Sequence, residues 1–341
     1  MNYYFFYKRL IKAGGAERLL VKTYQEFIKL GKSVKILTFE YNSDNDFFEG
    51  IINKNDIIEI QGNVLSRILS LRKILSKEET KNLVHSGYID FGLSVFFTKI
   101  QYSILIHHPS SMSFNETDKF SFFKMKSLKR LLLNNPGNEM IMSRLNRSSF
   151  FLRCFFTFRS FFSISIIRNA KEIFVLSGFA VNEKKMLYNI DATLNQGALD
   201  HRIKYYTNSR INDNKKFNLL SVARLDKNKR IDKLLKAFSL IDFIKYNCSL
   251  TTAGTGEEYD YLVNYSKDLG VQDRVKFLGY VTDEELFILY NTSHLFISID
   301  WADYRITQFE SMACKCPVLV SDETDIKSDF DNTGYYYTIN P

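Results

Sequence analysis

Cysteine is scarce. Cys154, Cys248, Cys314 and Cys316 are the only four in 341 residues, too few and too irregularly placed for a disulfide framework, and no histidines stand beside them at zinc-ligand spacing. They are expected to be reduced packing residues, with no metal and no other cofactor. Long apolar runs are missing too: none reaches the roughly 18 residues of a spanning helix, so a soluble or peripheral protein is expected. The opening MNYYFFYKRL lacks the basic start and small-residue cleavage site of a leader, which makes the cytoplasm the expected location. Acids are nearly absent between Lys119 and Lys171, where eleven Lys or Arg face Glu139 alone. Phe and Leu are scattered through that stretch, and it is expected to seek an anionic surface.

The length suits two domains, each with its own core. NYYFFY reads as a strand and KAGG as a turn. AERLLVKTYQEFIKLG reads as an amphipathic helix that Gly31 stops, and SVKILTF as a second buried strand. This is a βαβ unit, so a parallel sheet is expected. NLVHS, SILIHH and EIFVLS continue the first half. In the second half FNLLSVA, CSLTTAG, RVKFLGY, HLFISI and CPVLVS alternate with the helical KRIDKLLKAFSLI and DEELFILYN. The polar, basic stretch 201–216 reads as the linker.

Open parallel sheets bind ligands beyond the carboxyl ends of their strands, which directs attention to the turns at 13–17, 224–230, 253–257 and 302–310. Arg224 and Lys229, in RLDKNKRID, place two cations where free helix N–H groups would help neutralise a diphosphate. Surface charges in solvent are the alternative. Gly254 and Gly256, in AGTGEE, form a turn whose backbone can approach a ligand closely. Thr307 and Glu310 fit a capping box, with Thr at the N-cap and Glu three residues on. Glu310 therefore has two open readings, helix capping and ligand binding. His107 and His108, in LIHHP, and His85, in LVHSG, lie at strand ends, with a turn at Pro109 as the structural alternative for the first pair.

GGAER, VARLDKNKRIDKLLKAF, AGTGEE, VKFLGYVTDEEL and DYRITQFESMACKCPVLVS together resemble, in order and spacing, family 4 of the glycosyltransferases. The resemblance implies an α/β protein of two facing Rossmann-like domains, the GT-B architecture. An acceptor-side domain would span 1–205 and a nucleotide-sugar-binding domain 206–341. It also implies residue roles. Arg224 and Lys229 match the diphosphate clamp, Gly15 the first-domain glycine near the phosphate, and Glu310 the ribose-binding glutamate. Val281 matches the position whose backbone meets the base, and His107 the first-domain histidine near the transferred sugar. Two departures stand out: Ala302 occupies the place of the first signature glutamate, and Arg305 that of a common glycine. NTGYYYTINP resembles the strand before a final crossover helix, and that helix is expected to be missing.

The activity implied is retaining transfer of a sugar from a nucleotide-diphosphate donor to a glycan or lipid-linked acceptor in cell-surface polysaccharide synthesis, at the inner face of the membrane. A catalytically impaired partner subunit of the same fold, or a truncated relative, is the alternative. Nucleic acid is not an expected partner, for want of a binding motif. The acidic DND at 44–46 sits in a polar stretch after a strand and is read as no metal site. KAGGAE does not supply the three-glycine dinucleotide fingerprint.

Overall fold

The computed structural model describes residues 2–11, 14–42, 48, 51–76, 80–85, 88–95, 98–107, 165–197, 199, 203, 205–206, 216–300, 305–321 and 334–339. Ala302, His108, the DND stretch and most of the basic aromatic segment lie outside them. The chain divides into two compact units, with the boundary between Ala198 and Leu199.

In the first unit the order is β1 (Asn2–Phe6), β2 (Arg9–Leu10), α1 (Gly15–Lys29), β3 (Ser33–Thr38), β4 (Glu40–Tyr41), β5 (Ile57–Glu59), α2 (Val64–Leu75), β6 (Thr80–Val84), α3 (Tyr88–Val95), β7 (Tyr102–Ile106), β8 (Glu172–Val175), α4 (Gly178–Tyr188) and β9 (Thr193–Leu194). Its main sheet runs β5-β3-β1-β6-β7-β8-β9, and β2 pairs separately with β4. The recorded pairings are all parallel. Successive strand residues point to opposite faces. Phe5 thus joins Leu20, Val21 and Tyr24 of α1, while Phe6 joins Leu71 and Leu75 of α2 and Phe91 of α3. Burial on both faces explains why these strands are near-continuously apolar rather than alternating. The helix expected from AERLLVKTYQEFIKLG is α1. It ends where expected, with Gly31 at a φ of 68° that other residues rarely adopt.

The second unit contains β10 (Phe217–Val222), α5 (Ile231–Ser239), β11 (Cys248–Ala253), α6 (Tyr259–Asp268), β12 (Val275–Phe277), α7 (Asp283–Thr292), β13 (Leu295–Ser298), α8 (Ile306–Ala313), β14 (Val318–Ser321) and β15 (Tyr336–Ile339). The sheet order is β12-β11-β10-β13-β14-β15, all parallel. Numbered from β10, this is the 3-2-1-4-5-6 order of a Rossmann sheet. Leu219 packs with Leu234, Leu235 and Phe238 of α5 on one face. Its neighbour Leu220 packs with Leu286, Phe287 and Tyr290 of α7 on the other. Cys248, Cys314 and Cys316 are buried in these layers and form no disulfide.

The order in which strands are added across the sheet reverses between β1 and β6 in the first unit and between β10 and β13 in the second. Beyond the carboxyl ends of such a strand pair the connecting loops diverge and leave a crevice.

Candidate active site

In the second unit, the residues after β10 and β13 meet beyond the strand ends. After β10 the chain passes Arg224 and makes a short 3-10 turn, Lys227–Lys229. Arg230 then takes a left-handed φ of 54° before α5 begins at Ile231. Lys229 therefore sits at the end of a tight turn rather than on the helix. Its Nζ donates to Oδ2 of Asp300 at 2.6 Å. Asp300, just past β13, is buried. Its Oδ1 accepts from Ser298 Oγ at 2.7 Å and from Arg305 Nε at 2.8 Å, and Arg305 Nη2 donates to the Asp300 carbonyl. Arg230 Nη1 donates to the carbonyl of Ile299 at 3.2 Å.

Burial alone would push the Asp300 carboxyl up. The Arg305 guanidinium and the Lys229 ammonium, with hydrogen bonds from Lys229 and Ser298, outweigh it and hold the group well below the usual carboxylate range. Asp300 is thus a fixed anion around which two cations are arranged. Sequence reasoning did not single it out, although an acid directly after the buried ISI run and five residues before an arginine was the available signal.

Arg224 is different. Its side chain is 72% exposed and lies 3.1 Å from Asp226, whereas that of Lys229 is 25% exposed. Lys229 is held in place and Arg224 is the outer charge.

The capping box expected at Thr307 and Glu310 does not form. The N-cap of α8 is Arg305, without a side-chain cap, and Thr307 lies inside the first turn. The helix starts two residues early because Arg305 is anchored on Asp300. Glu310 is consequently buried on the inner face, where one oxygen accepts from Tyr290 Oη at 2.8 Å. The box with this pattern lies elsewhere, at Thr282 and Glu285, where both reciprocal bonds are present. Val281, immediately before it, is half-buried against the core of the same unit. Gln308 is fully buried with neither side-chain polar atom partnered, and so is the Ser311 hydroxyl.

The two glycines after β11 have a structural cause. A Cβ on Gly254 would come within 1.9 Å of the Ala223 carbonyl oxygen, and Gly254 has a φ of 132°. A Cβ on Gly256 would meet the Leu225 backbone at 2.4 Å. Their close approach is therefore to the loop that carries Arg224, which they support from beneath.

In the first unit Tyr7, His85 and His107 follow β1, β6 and β7. The His85 and His107 rings lie 5.6 Å apart, centroid to centroid, and the Tyr7 ring stands edge-on to His107 at 6.4 Å. Tyr7 Oη donates to Glu17 Oε1 at 2.7 Å, which ties the cluster to the first turn of α1. Burial, and then the neighbouring Glu17 carboxylate, raise the Tyr7 hydroxyl far above its ordinary value. His85 is 1% exposed, and neither ring nitrogen has a partner. Burial, reinforced by His107, holds it well below the usual imidazole range and hence neutral. Gly15 opens α1, and a Cβ there would meet nothing within 4 Å.

Residues 203–332 match the model of the family described as glycosyl transferases group 1. That segment is similar to the group 1 glycosyltransferases. An uncharacterized glycosyltransferase of Methanocaldococcus jannaschii is 32% identical over 123 residues, which take in 36% of this chain and 31% of that protein's length. The chain thus matches under a third of that curated relative. Two solved structures match across 100% of this chain and 86% of their own. One is the apo form of a lipopolysaccharide outer core galactosyltransferase, at 13% identity and a TM-score of 0.67. The other is an Anabaena protein in complex with UDP and glucose, at 14% and 0.72. At such identities the likeness is one of fold, and the fold is GT-B. Among the described residues no group of three or more His, Cys, Asp or Glu is placed to hold a metal ion, and no helix is long and apolar enough to cross a membrane.

Proposed function

We propose that the chain transfers a sugar from a nucleotide-diphosphate donor to a glycan or lipid-linked acceptor, with retention of configuration, in the assembly of cell-surface polysaccharide. The observation that carries this reading is the Lys229–Asp300–Arg305 cluster at the switch point of the second unit. The bond between the anomeric carbon and the diphosphate oxygen breaks, and negative charge gathers on the leaving group. Lys229 still has N–H groups to offer beyond the one given to Asp300. With Arg224 and the first amides of α8, it supplies preorganised positive charge to that oxygen. The acceptor oxygen bonds to the same face of the sugar, and its proton leaves on the departing diphosphate.

Glu310, on α8 and oriented by Tyr290, takes the ribose hydroxyls. Gly15, exposed at the start of α1, is assigned to the phosphates and His107 to the transferred sugar. The galactosyltransferase and the complex with UDP and glucose among the structural neighbours support a nucleotide-sugar donor and a surface-glycan product. The segment 119–171 would hold the protein peripherally on the anionic inner face of the membrane.

A binding-only partner subunit is the second reading. It is favoured by alanine at position 302 together with the full engagement of Asp300. Calorimetry with UDP, GDP and their sugar conjugates, followed by assay of diphosphate release, separates the two. Binding with release supports the transferase. Binding without release under any acceptor supports the partner, and no binding removes both.

A further inference from the structure

Arg305 is half used. Nε and Nη2 are both turned on Asp300, but Nη1 has no partner although the residue is 5% exposed. A buried donor left without an acceptor costs about 1–3 kcal/mol, and more when charged. Native structures keep such groups rarely, and each calls for an explanation, such as a functional role, a water or an ion. This one stands at the N-cap of α8, whose first amides are further donors.

The nearby carboxylates are engaged. Asp300 already receives Lys229, Ser298 and Arg305, and Glu310 receives Tyr290. Position 302 is alanine. Among the described residues, then, the charged groups at this end of the site are Lys229, Arg230 and Arg305 set against Asp300 and Glu310, and the acceptors left over, on Gln308 and Ser311, are neutral. A neutral hexose presents hydroxyls that need both kinds of partner. A carboxylate only accepts, at about four lone-pair positions, and its bonds to a guanidinium are charge-assisted.

Resting on the reading of this unit as a nucleotide-sugar site, we infer that the sugar itself carries an anionic group, a carboxylate as in a uronic acid, which takes the free Nη1 of Arg305. The diphosphate stays with Lys229, Arg224 and the helix amides. The arrangement makes Arg305 a determinant of donor specificity.

The test is calorimetric, in two series: UDP, UDP-glucose and UDP-glucuronate, then GDP, GDP-mannose and GDP-mannuronate. In the series that binds, the uronate should bind at least about tenfold more tightly than its neutral counterpart in the wild type, the size of one charge-assisted contact. This comparison needs no variant. Arg305→Lys keeps a cation for Asp300 but lacks the planar Nη1 donor. It should weaken the uronate at least about tenfold more than the free nucleoside diphosphate. Equal wild-type affinity for the uronate and the neutral sugar overturns the inference while leaving the nucleotide site standing. So does an Arg305→Lys loss as large for the free diphosphate as for the uronate, which would give Nη1 to the phosphate. Failure of every nucleotide to bind removes the site and the inference together.

Discussion

The carboxyl ends of β1 and β6 in the first unit and of β10 and β13 in the second occupy the same place in the same topology, yet their chemistry is opposite. The first holds an imidazole pair and a tyrosine, with His85 kept neutral by burial. The second holds a buried carboxylate locked between an ammonium and a guanidinium. Parallel-sheet geometry creates a crevice at this point whatever the sequence. The few residues directly after each strand decide whether it suits neutral hydroxyls or phosphate charge. Fold and chemistry are therefore separable in this chain, and each can be broken without the other.

The largest effect is expected at Asp300. Asp300→Ala leaves Arg305 buried without its counter-ion and Lys229 without its anchor, and removing one partner of a buried pair typically costs about 3–5 kcal/mol. Urea unfolding should show that loss, and nucleotide binding should vanish with it. A loss below about 1 kcal/mol would mean that the cluster behaves as an exposed pair. Gly254→Ala comes next. Its Cβ would collide with the Ala223 carbonyl at a left-handed φ, a strain of about 1–3 kcal/mol. Gly15→Ala is its counterpart in the first unit. No atom lies within 4 Å of the added methyl and alanine is the better helix former, so stability should hold or rise by up to about 1 kcal/mol. Any loss of donor affinity in Gly15→Ala would then come from the ligand side.

Much of this comparison was legible in the sequence and some was not. The two βα series, the helix over α1 and its stop at Gly31 follow from period and punctuation, which are local. The meeting of His85 with His107 depends on β6 lying beside β7, and of Lys229 with Asp300 on β10 lying beside β13. Those pairings are properties of the sheet, which no short stretch states. The capping-box expectation failed for a related reason. Thr282 to Glu285 and Thr307 to Glu310 spell the same local pattern, but a tertiary contact, Arg305 on Asp300, moved the second helix start, while nothing competed at the first.

A smaller effect separates the two units by pH. Because the folded-state pKa of His85 is depressed, its contribution to stability is fully present above the unfolded value, near 6.5. It declines as pH falls below that, where the unfolded chain binds the proton first. The slope is at most about 1.4 kcal/mol per pH unit for one group. Chemical denaturation between pH 7 and pH 5 should show it, and His85→Phe should flatten it. Asp300, also depressed, keeps its contribution until pH falls below the ordinary carboxylate range near 3.9. The first crevice should therefore weaken before the second as acid is added. An unchanged slope in His85→Phe would assign the acid sensitivity to other groups.

A small stability change is expected at Glu310. Glu310→Gln keeps a carbonyl oxygen that can accept from Tyr290 Oη, as the carboxylate does at 2.8 Å. The side chain is nearly the same size, and α8 does not rely on it for capping. Unfolding free energy should therefore move by less than about 1.5 kcal/mol, the difference between a charge-assisted bond and a neutral one. Nucleoside binding should respond more strongly if Glu310 holds the ribose, because a carboxylate accepts from two hydroxyls at once and an amide oxygen does so less well. The loss should be the same for UDP as for UDP-glucuronate, since the ribose is common to both, in contrast to the uneven loss expected in Arg305→Lys. An affinity for UDP or GDP that is unchanged in Glu310→Gln, with the fold intact by circular dichroism, would reduce Glu310 to the partner of Tyr290 and move the ribose elsewhere along the ends of β10 and β13.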